Sequence, residues 1–383
     1  MTTVHPVRPA PPGPDVGGDR GAGPGAAGVA TLPESGVLPG ADLLASLLAR
    51  TADDERPVTH VHHVPVRESS TRPWPAWVDP GLRDRLVERG VHAPWRHQVD
   101  AAQLAHEGRH VVVATGTASG KSLAYQLPAL TRLAEDPRAC VLYLAPTKAL
   151  ARDQLASVAT LADPSVRPAA YDGDTPGEER DWVRRHSRWI VTNPDMLHRG
   201  ILPAHQRWSS TLRRVAYVVI DECHAYRGVF GSHVGHVLRR LRRICRRYGA
   251  EPVFVLASAT VADPATAASR LVGAPVAAVT EDGSPRPGTT FALWEPPLTE
   301  RTGEHGAPLR RSAAADAATL LADLVERGAR TLAFVRSRRS AESVADQARR
   351  ILHDRGRDDL VGRVDSYRGG YLPEERRELE RAL

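Results

Sequence analysis

The sequence predicts an α/β fold, a mostly parallel sheet with helices on both faces, followed by a second and shorter α/β unit. Three observations predict it. Short apolar runs alternate with stretches of 10–20 residues at helical spacing. A Gly-Lys-Ser turn joins one of those runs to the helix after it. A Pro- and Gly-bearing stretch, Glu281–Gly288, then separates the first series of runs from the next. Alternation of this kind buries strands between two helical layers, and its crossover connections make neighbouring strands parallel.

Residues 1–40 are dominated by Pro, Gly and Ala and read as a disordered tail, because they bury too little apolar surface to offset ordering entropy. Residues 41–92 read as an N-terminal accessory helical segment. Leu43, Leu44, Leu47 and Leu48 have helical spacing within Ala41–Arg50, and Leu82–Arg89 repeats the pattern. The main α/β unit spans 93–280, with strands expected at Val111–Ala114, Val141–Ala145, Trp189–Thr192, Tyr217–Ile220, Val253–Ala257 and Val276–Val279. Residues 281–289 read as a linker. From 290 to 383 the second unit offers strands at Phe291–Trp294 and Thr331–Val335, and helices near Ala313–Arg327, Ser340–His353 and Pro373–Ala382.

Composition bounds the function. The net charge of +6 favours polyanionic partners. Three scattered cysteines argue against a disulfide framework or a zinc ribbon. No apolar run approaches a membrane span and no signal core follows the N-terminus, so a cytoplasmic location without membrane contact is expected. The chain holds two lysines against 49 arginines. Where lysine persists, a compact ammonium suits the site better than a planar guanidinium.

Lys121 ends the turn Thr115, Gly116, Thr117, Ala118, Ser119, Gly120, ahead of Ser122. A strand running through such a turn into a helix gathers backbone N–H groups and the positive end of the helix dipole around one point. Lys121 then reaches the β- and γ-phosphates of a nucleotide and the Ser122 hydroxyl ligates Mg²⁺. Thr115 departs from the Gly or Ala usual at the first position. Asp221 and Glu222 follow the strand Tyr217–Ile220, where a metal-holding carboxylate and a base or water-orienting group belong. Ser258, Ala259 and Thr260 end the strand before the next helix; alone they read as a helix cap.

In chain order these segments resemble the motifs of a superfamily 2 helicase: Thr115–Ser122 (I), Ala145–Gln154 (Ia), Thr192–His198 (Ib), Asp221–His224 (II), Ser258–Thr260 (III) and Thr331–Arg338 (IV). Tyr226–Val234, Arg239–Cys245 and Tyr367–Arg377 narrow the resemblance to the YprA-type DEAD/DEAH-box DNA helicases, the group that includes the mitomycin repair factor type. The resemblance implies two RecA-like domains, the first a P-loop NTPase and the second incomplete here. It implies ATP and Mg²⁺ as cofactors, 3′→5′ movement on single-stranded or partly duplex DNA, and a role in DNA repair. It assigns adenine recognition to Gln98, coupling of the γ-phosphate to His224, and transmission of closure to Ser258 and Thr260. Nucleic-acid contacts fall to Pro146, Thr147, Lys148, Thr192, Asn193 and Pro194.

The family pattern has two further motifs, one supplying an arginine to the transition state, and the sequence through Leu383 contains neither. The expectation is therefore the N-terminal part of a helicase with near-background ATPase. A non-hydrolysing nucleotide- and nucleic-acid-binding module, or a degraded reading frame, is the reading from a different class. An RNA-remodelling ATPase shares the same motifs. The Arg-rich stretch 239–247 has an apolar stripe at Val237, Leu241, Ile244 and Tyr248, which fits a helix packed on the sheet with solvated arginines better than a DNA-contacting one.

Overall fold

A computed structural model describes residues 40–49, 57–259 and 261–383. Residues 1–39 of the expected tail, and Thr260, lie outside the described residues. Helix α1 (Gly40–Leu48), strand β1 (Val58–Val64), and helices α2 (Pro80–Glu88) and α3 (Arg96–His106) come first. Strands and helices then alternate through β2 (Val111–Ala114), α4 (Ser122–Glu135), β3 (Cys140–Leu144), α5 (Lys148–Leu161), β4 (Ala169–Ala170), α6 (Gly177–His186) and β5 (Trp189–Thr192). Short helices α7 (Pro194–Met196) and α8 (Ser209–Leu212) lead to β6 (Val215–Ile220), α9 (Gly228–Arg247), β7 (Val253–Ser258), α10 (Pro264–Val272) and β8 (Ala277–Val279).

Seven of these strands form one parallel sheet in the order β4-β5-β3-β6-β7-β2-β8. The six strands expected within residues 93–280 are present within two residues of their expected bounds. Alternate side chains face opposite layers, as the strand period requires. Val113, Tyr143, Val219 and Val255 join one core, which includes Leu127 and Leu133 of α4. Val112, Leu142, Val218 and Leu256 join the other, with Leu238 and Leu241 of α9 and Leu271 of α10. Burying such a side chain contributes about 1.5–3 kcal/mol, so two cores hold the strand ends, and the loops on them, in fixed register.

Helix α9 corrects the expected stripe. Val234, Leu238, Leu241 and Cys245 are buried, and Val237, Ile244 and Tyr248 are only partly covered. The helix is turned by Gly231 and Gly235, which let its backbone approach its neighbours. Its arginines have structural work. Arg239 donates to the carbonyl of Arg270, and Arg242 to those of Val272 and Gly273, which places cations at the negative end of α10.

Beyond the sheet lie β9 (Thr289–Trp294), the hairpin β10 (Leu298–Thr302) and β11 (Pro308–Arg310), and helices α11 (Ala313–Glu326), α12 (Arg338–Asp354), α13 (Asp358–Val361) and α14 (Pro373–Ala382). Two expectations change here. The segment 41–92 is not purely helical: β1 pairs antiparallel with β9, Val58 opposite Trp294 and Val64 opposite Thr289. Arg327, just past α11, also donates to the hydroxyl and carbonyl of Ser46 on α1. Thr331–Val335 forms no strand, and Leu332 and Phe334 are 63% and 92% exposed. Strands are held by ladders, and among the described residues no strand pairs with this run.

Candidate nucleotide site and the groove beside it

The loops that follow β2, β6 and β7 meet at the carboxyl ends of three adjacent strands, where ligands of open α/β sheets bind. Ala114 is opposite Ser258 in the ladder, and Ile220 is opposite Leu256. The Gly-Lys-Ser loop, the two acids and Ser258 are thereby set side by side.

The loop after β2 is closed internally. The Ser119 hydroxyl donates to the Gly116 carbonyl at 2.8 Å, so its contact with Thr115 Oγ1 at 2.6 Å has Thr115 as donor. That explains the departure at position 115: its buried hydroxyl ties the two sides of the loop. Ala118 and Gly120 have φ of +60° and +61°, and Thr117 and Ala118 are exposed at the tip. Lys121 donates to the Gly116 carbonyl at 2.8 Å and approaches that of Thr115 at 3.4 Å. Ser122 opens α4.

Side chains from outside the loop hold it in place. Gln98, for which the bare residue reads as surface, is buried; its amide donates to the Gly120 carbonyl at 2.8 Å and its oxygen accepts from the Trp95 amide at 2.7 Å. His97 is fully buried. Its Nε2 lies 2.8 Å from the Ser119 carbonyl and its Nδ1 accepts from the Gly283 amide at 3.1 Å, which sets the tautomer with the proton on Nε2. Burial holds the His97 pKa below the ordinary imidazole value, against the hydrogen bond from its ring to Ser119. Asp282 accepts from the Gly116 amide at 3.3 Å, pairs with Arg67 at 2.8 Å and accepts from the amide and hydroxyl of Ser284. Burial pushes its carboxyl up, but the Ser284 and Arg67 contacts outweigh that and hold it below the usual range. Within residues 281–289, expected as a linker, Asp282 and Gly283 thus strap the loop.

Asp221 is buried. Tyr143 donates to its Oδ2, Tyr125 lies 3.5 Å from the same oxygen, and the Glu222 amide donates to Oδ1 at 2.9 Å. Burial drives both phenols far up in pKa, so they stay protonated as donors. Glu222 is half-buried with φ +46°, a left-handed backbone that costs a non-glycine residue about 1–3 kcal/mol. Its carboxylate lies 3.1 Å from His224 Nδ1, which is also 3.2 Å from the Ala259 amide. One nitrogen serves only one of these at a time: protonated, it donates to Glu222; bare, it accepts from Ala259. Ser258 is buried with the Cys223 thiol beside it, and burial pushes that thiol up to about 11.

The oxygens of Asp221 and Ser122 suit a hard cation that keeps several waters, as Mg²⁺ does. No group of three or more His, Cys, Asp or Glu that could hold a metal occurs among the described residues.

A groove next to this site is lined by Pro146, Thr147, Lys148, Asn193 and Pro194 together with Phe230. Thr147 caps α5 through the Leu150 amide, and Asn193 caps α7 through the Met196 amide at 2.8 Å. Lys148 is exposed and paired with Asp174. Thr192 also lines the groove. It is buried and donates to the Tyr171 carbonyl at 2.7 Å.

Among the described residues no helix is long and apolar enough to cross a membrane. The model of the DEAD/DEAH box helicase family matches residues 95–268. The chain is 41% identical over 329 residues to the ATP-dependent helicase YprA of Bacillus subtilis, covering 85% of this chain and 43% of YprA. It is 39% identical over 297 residues to the ATP-dependent helicase HRQ1 of Saccharomyces cerevisiae, covering 76% of this chain and 27% of that relative. The crystal structure of the DUF1998 helicase MrfA bound to DNA superposes with a TM-score of 0.80 at 38% identity, covering 89% of this chain and 44% of MrfA. MrfA bound to DNA and AMPPNP gives 0.79 at 38%, covering 90% of this chain and 47% of MrfA. The chain thus spans less than half the length of these relatives. On the family match and these identities, the chain belongs to the DEAD/DEAH-box helicases, in the group related to YprA and MrfA.

Proposed function

We propose that these residues form the ATP-binding lobe of an ATP-dependent DNA helicase that couples nucleotide binding and hydrolysis to movement on single-stranded DNA. The observation that carries this is the convergence of the Lys121 loop, Asp221–Glu222 and Ser258 on three adjacent strand ends. Lys121 now donates to carbonyls of its own loop, and β- and γ-phosphates offer it stronger, charged acceptors. Loop amides and the start of α4 complete the phosphate cradle, and Gln98, hydrogen-bonded to the Gly120 carbonyl, would read the adenine base. Asp221 and Ser122 would hold Mg²⁺, which neutralises phosphate charge when bound. Glu222 orients and deprotonates the attacking water. His224 exchanges its Nδ1 contact between Glu222 and Ala259 as γ-phosphate comes and goes, which links the acids to Ser258 and Thr260. Thr147, Lys148 and Asn193 hold a DNA backbone without reading its sequence; DNA rather than RNA is favoured by the DNA-bound MrfA structures. We extend the proposal to 3′→5′ movement and DNA repair, which the order and identity of the motifs imply.

The test is titration of the chain with a fluorescent ATP analogue and Mg²⁺. Wild type should bind, and Lys121→Ala should bind roughly tenfold or more weakly, the loss expected for a hydrogen bond to a charged group. Equal binding by both would sink the nucleotide assignment.

A further inference from the structure

Helix α9 starts six residues after the Asp221–Glu222 pair, and its first turn carries two apolar side chains that the fold leaves uncovered. Val229 is 77% and Phe230 50% exposed. They are held there firmly. Gly228 takes φ +61° to start the helix, a conformation that favours glycine. A Cβ on Gly231 would lie 2.3 Å from the Tyr226 carbonyl oxygen, so the first turn is seated on Tyr226 and admits no larger residue. The buried Tyr226 ring, 5.9 Å from that of Phe230 and tilted to it, backs the exposed ring.

Tyr226 and Phe230 line the same groove as Thr147, Lys148 and Asn193. Its volume is about 190 Å³, below the roughly 300–1,000 Å³ of pockets that enclose a small molecule. An open groove of that size suits a chain passing through it. Asp172 and Asp195 also line the groove, yet its combination of a cation, polar groups and an aromatic ring is that of single-strand binding sites, where every base offers a π-face. The Lys148–Asp174 pair does not block this use, because both partners are exposed and exposed pairs are weak.

We propose that Phe230 is a stacking platform for one base of the single strand whose backbone lies along Thr147, Lys148 and Asn193. The proposal rests on the DNA-binding reading above. The ring of Phe230 carries no hydrogen-bonding group, so the site accepts any base.

The test is fluorescence anisotropy of a labelled oligothymidine, and of the same oligonucleotide with abasic sites, against wild type, Phe230→Ala, Phe230→Trp and Lys148→Ala. Stacking predicts that Phe230→Ala binds roughly fivefold or more weakly, that Phe230→Trp keeps wild-type affinity, and that the abasic strand costs wild type a similar factor but costs Phe230→Ala nothing more. The salt dependence should be unchanged in Phe230→Ala and shallower in Lys148→Ala, since only the latter loses a phosphate contact. Unchanged affinity in Phe230→Ala, with Lys148→Ala weakened, overturns the platform and leaves the DNA reading standing. An equal abasic penalty in wild type and Phe230→Ala also overturns it. No binding of either oligonucleotide by wild type removes both. Phe230 is half exposed and outside both cores, so the thermal midpoint of Phe230→Ala should match wild type and separate lost stacking from lost folding.

Discussion

The carboxylate of Asp282 accepts a hydrogen bond from the backbone amide of Gly116 at 3.3 Å, although 166 residues separate them. Through this contact, and through His97 between Ser119 and Gly283, the segment leading to β9 is fastened to both ends of the phosphate loop. On the proposed function, a change in loop shape on nucleotide binding would be felt by the strap, and by reciprocity the strap would bias the loop.

Removing Asp282 leaves Arg67 and the Gly116 amide without their carboxylate. Asp282→Ala should lower unfolding stability by about 1–3 kcal/mol, the cost of stranding a partly buried donor. Asp282→Asn, which keeps an acceptor, should lose less. Urea unfolding of the two variants checks this, and equal stability of Asp282→Ala and wild type would show that the strap contributes nothing.

His97 makes stability depend on pH with a definite sign. Its folded pKa lies below the ordinary 6.5 because burial disfavours the cation. As pH falls below about 6.5 the unfolded chain takes up the proton first, so stability is lost from there down through the folded pKa and is fully present above 6.5. His97→Gln should flatten this part of the acid limb. Unfolding midpoints between pH 5 and about pH 8 measure it; parallel limbs in both proteins would refute the role given to His97. Asp282 acts lower, with stability lost only as pH falls through its own depressed value.

Gly120 has no room for a side chain. Its φ is +61°, and a Cβ would lie 2.7 Å from Gln98 Nε2 and 2.9 Å from the Trp95 ring. Gly120→Ala should cost about 1–3 kcal/mol of stability and weaken binding of an ATP analogue roughly tenfold. Gly173→Ala is the control: nothing lies within 4 Å of its Cβ position, and stability should stay within about 0.5 kcal/mol. Similar effects at both positions would contradict the packing described for the loop.

Glu222 holds a left-handed backbone at φ +46°. Asparagine tolerates that conformation better, so Glu222→Asn should leave thermal stability unchanged or raise it by about 0.5–1 kcal/mol. Hydrolysis in a chain that turns over ATP should fall to background. A variant destabilised by more than that margin would place Glu222 among the structural residues instead.

The parallel sheet and its ligand-binding end were readable from Val111–Ala114, Tyr217–Ile220 and Val253–Ala257, because buried strands are local apolar runs and the loop and acids follow them directly. Thr331–Val335 was misread by the same rule, since an apolar run becomes a strand only beside a partner. His97 and Asp282 carried no such local mark, and Gln98 was marked only through the resemblance: a buried His and a linker Asp look alike in sequence whether or not a loop lies against them. Phe230 is the converse case, an apolar residue that reads as core and lies exposed on the groove.

Lys121, Ser122, Asp221 and Glu222 could be proposed from the chain alone, because their chemistry depends on the strand or helix each adjoins. The strap from Asp282, the tyrosines around Asp221 and the position of His224 between Glu222 and Ala259 were decided only when the chain folded. Each joins side chains from different strands or loops, and such pairings follow from packing rather than from the order of residues.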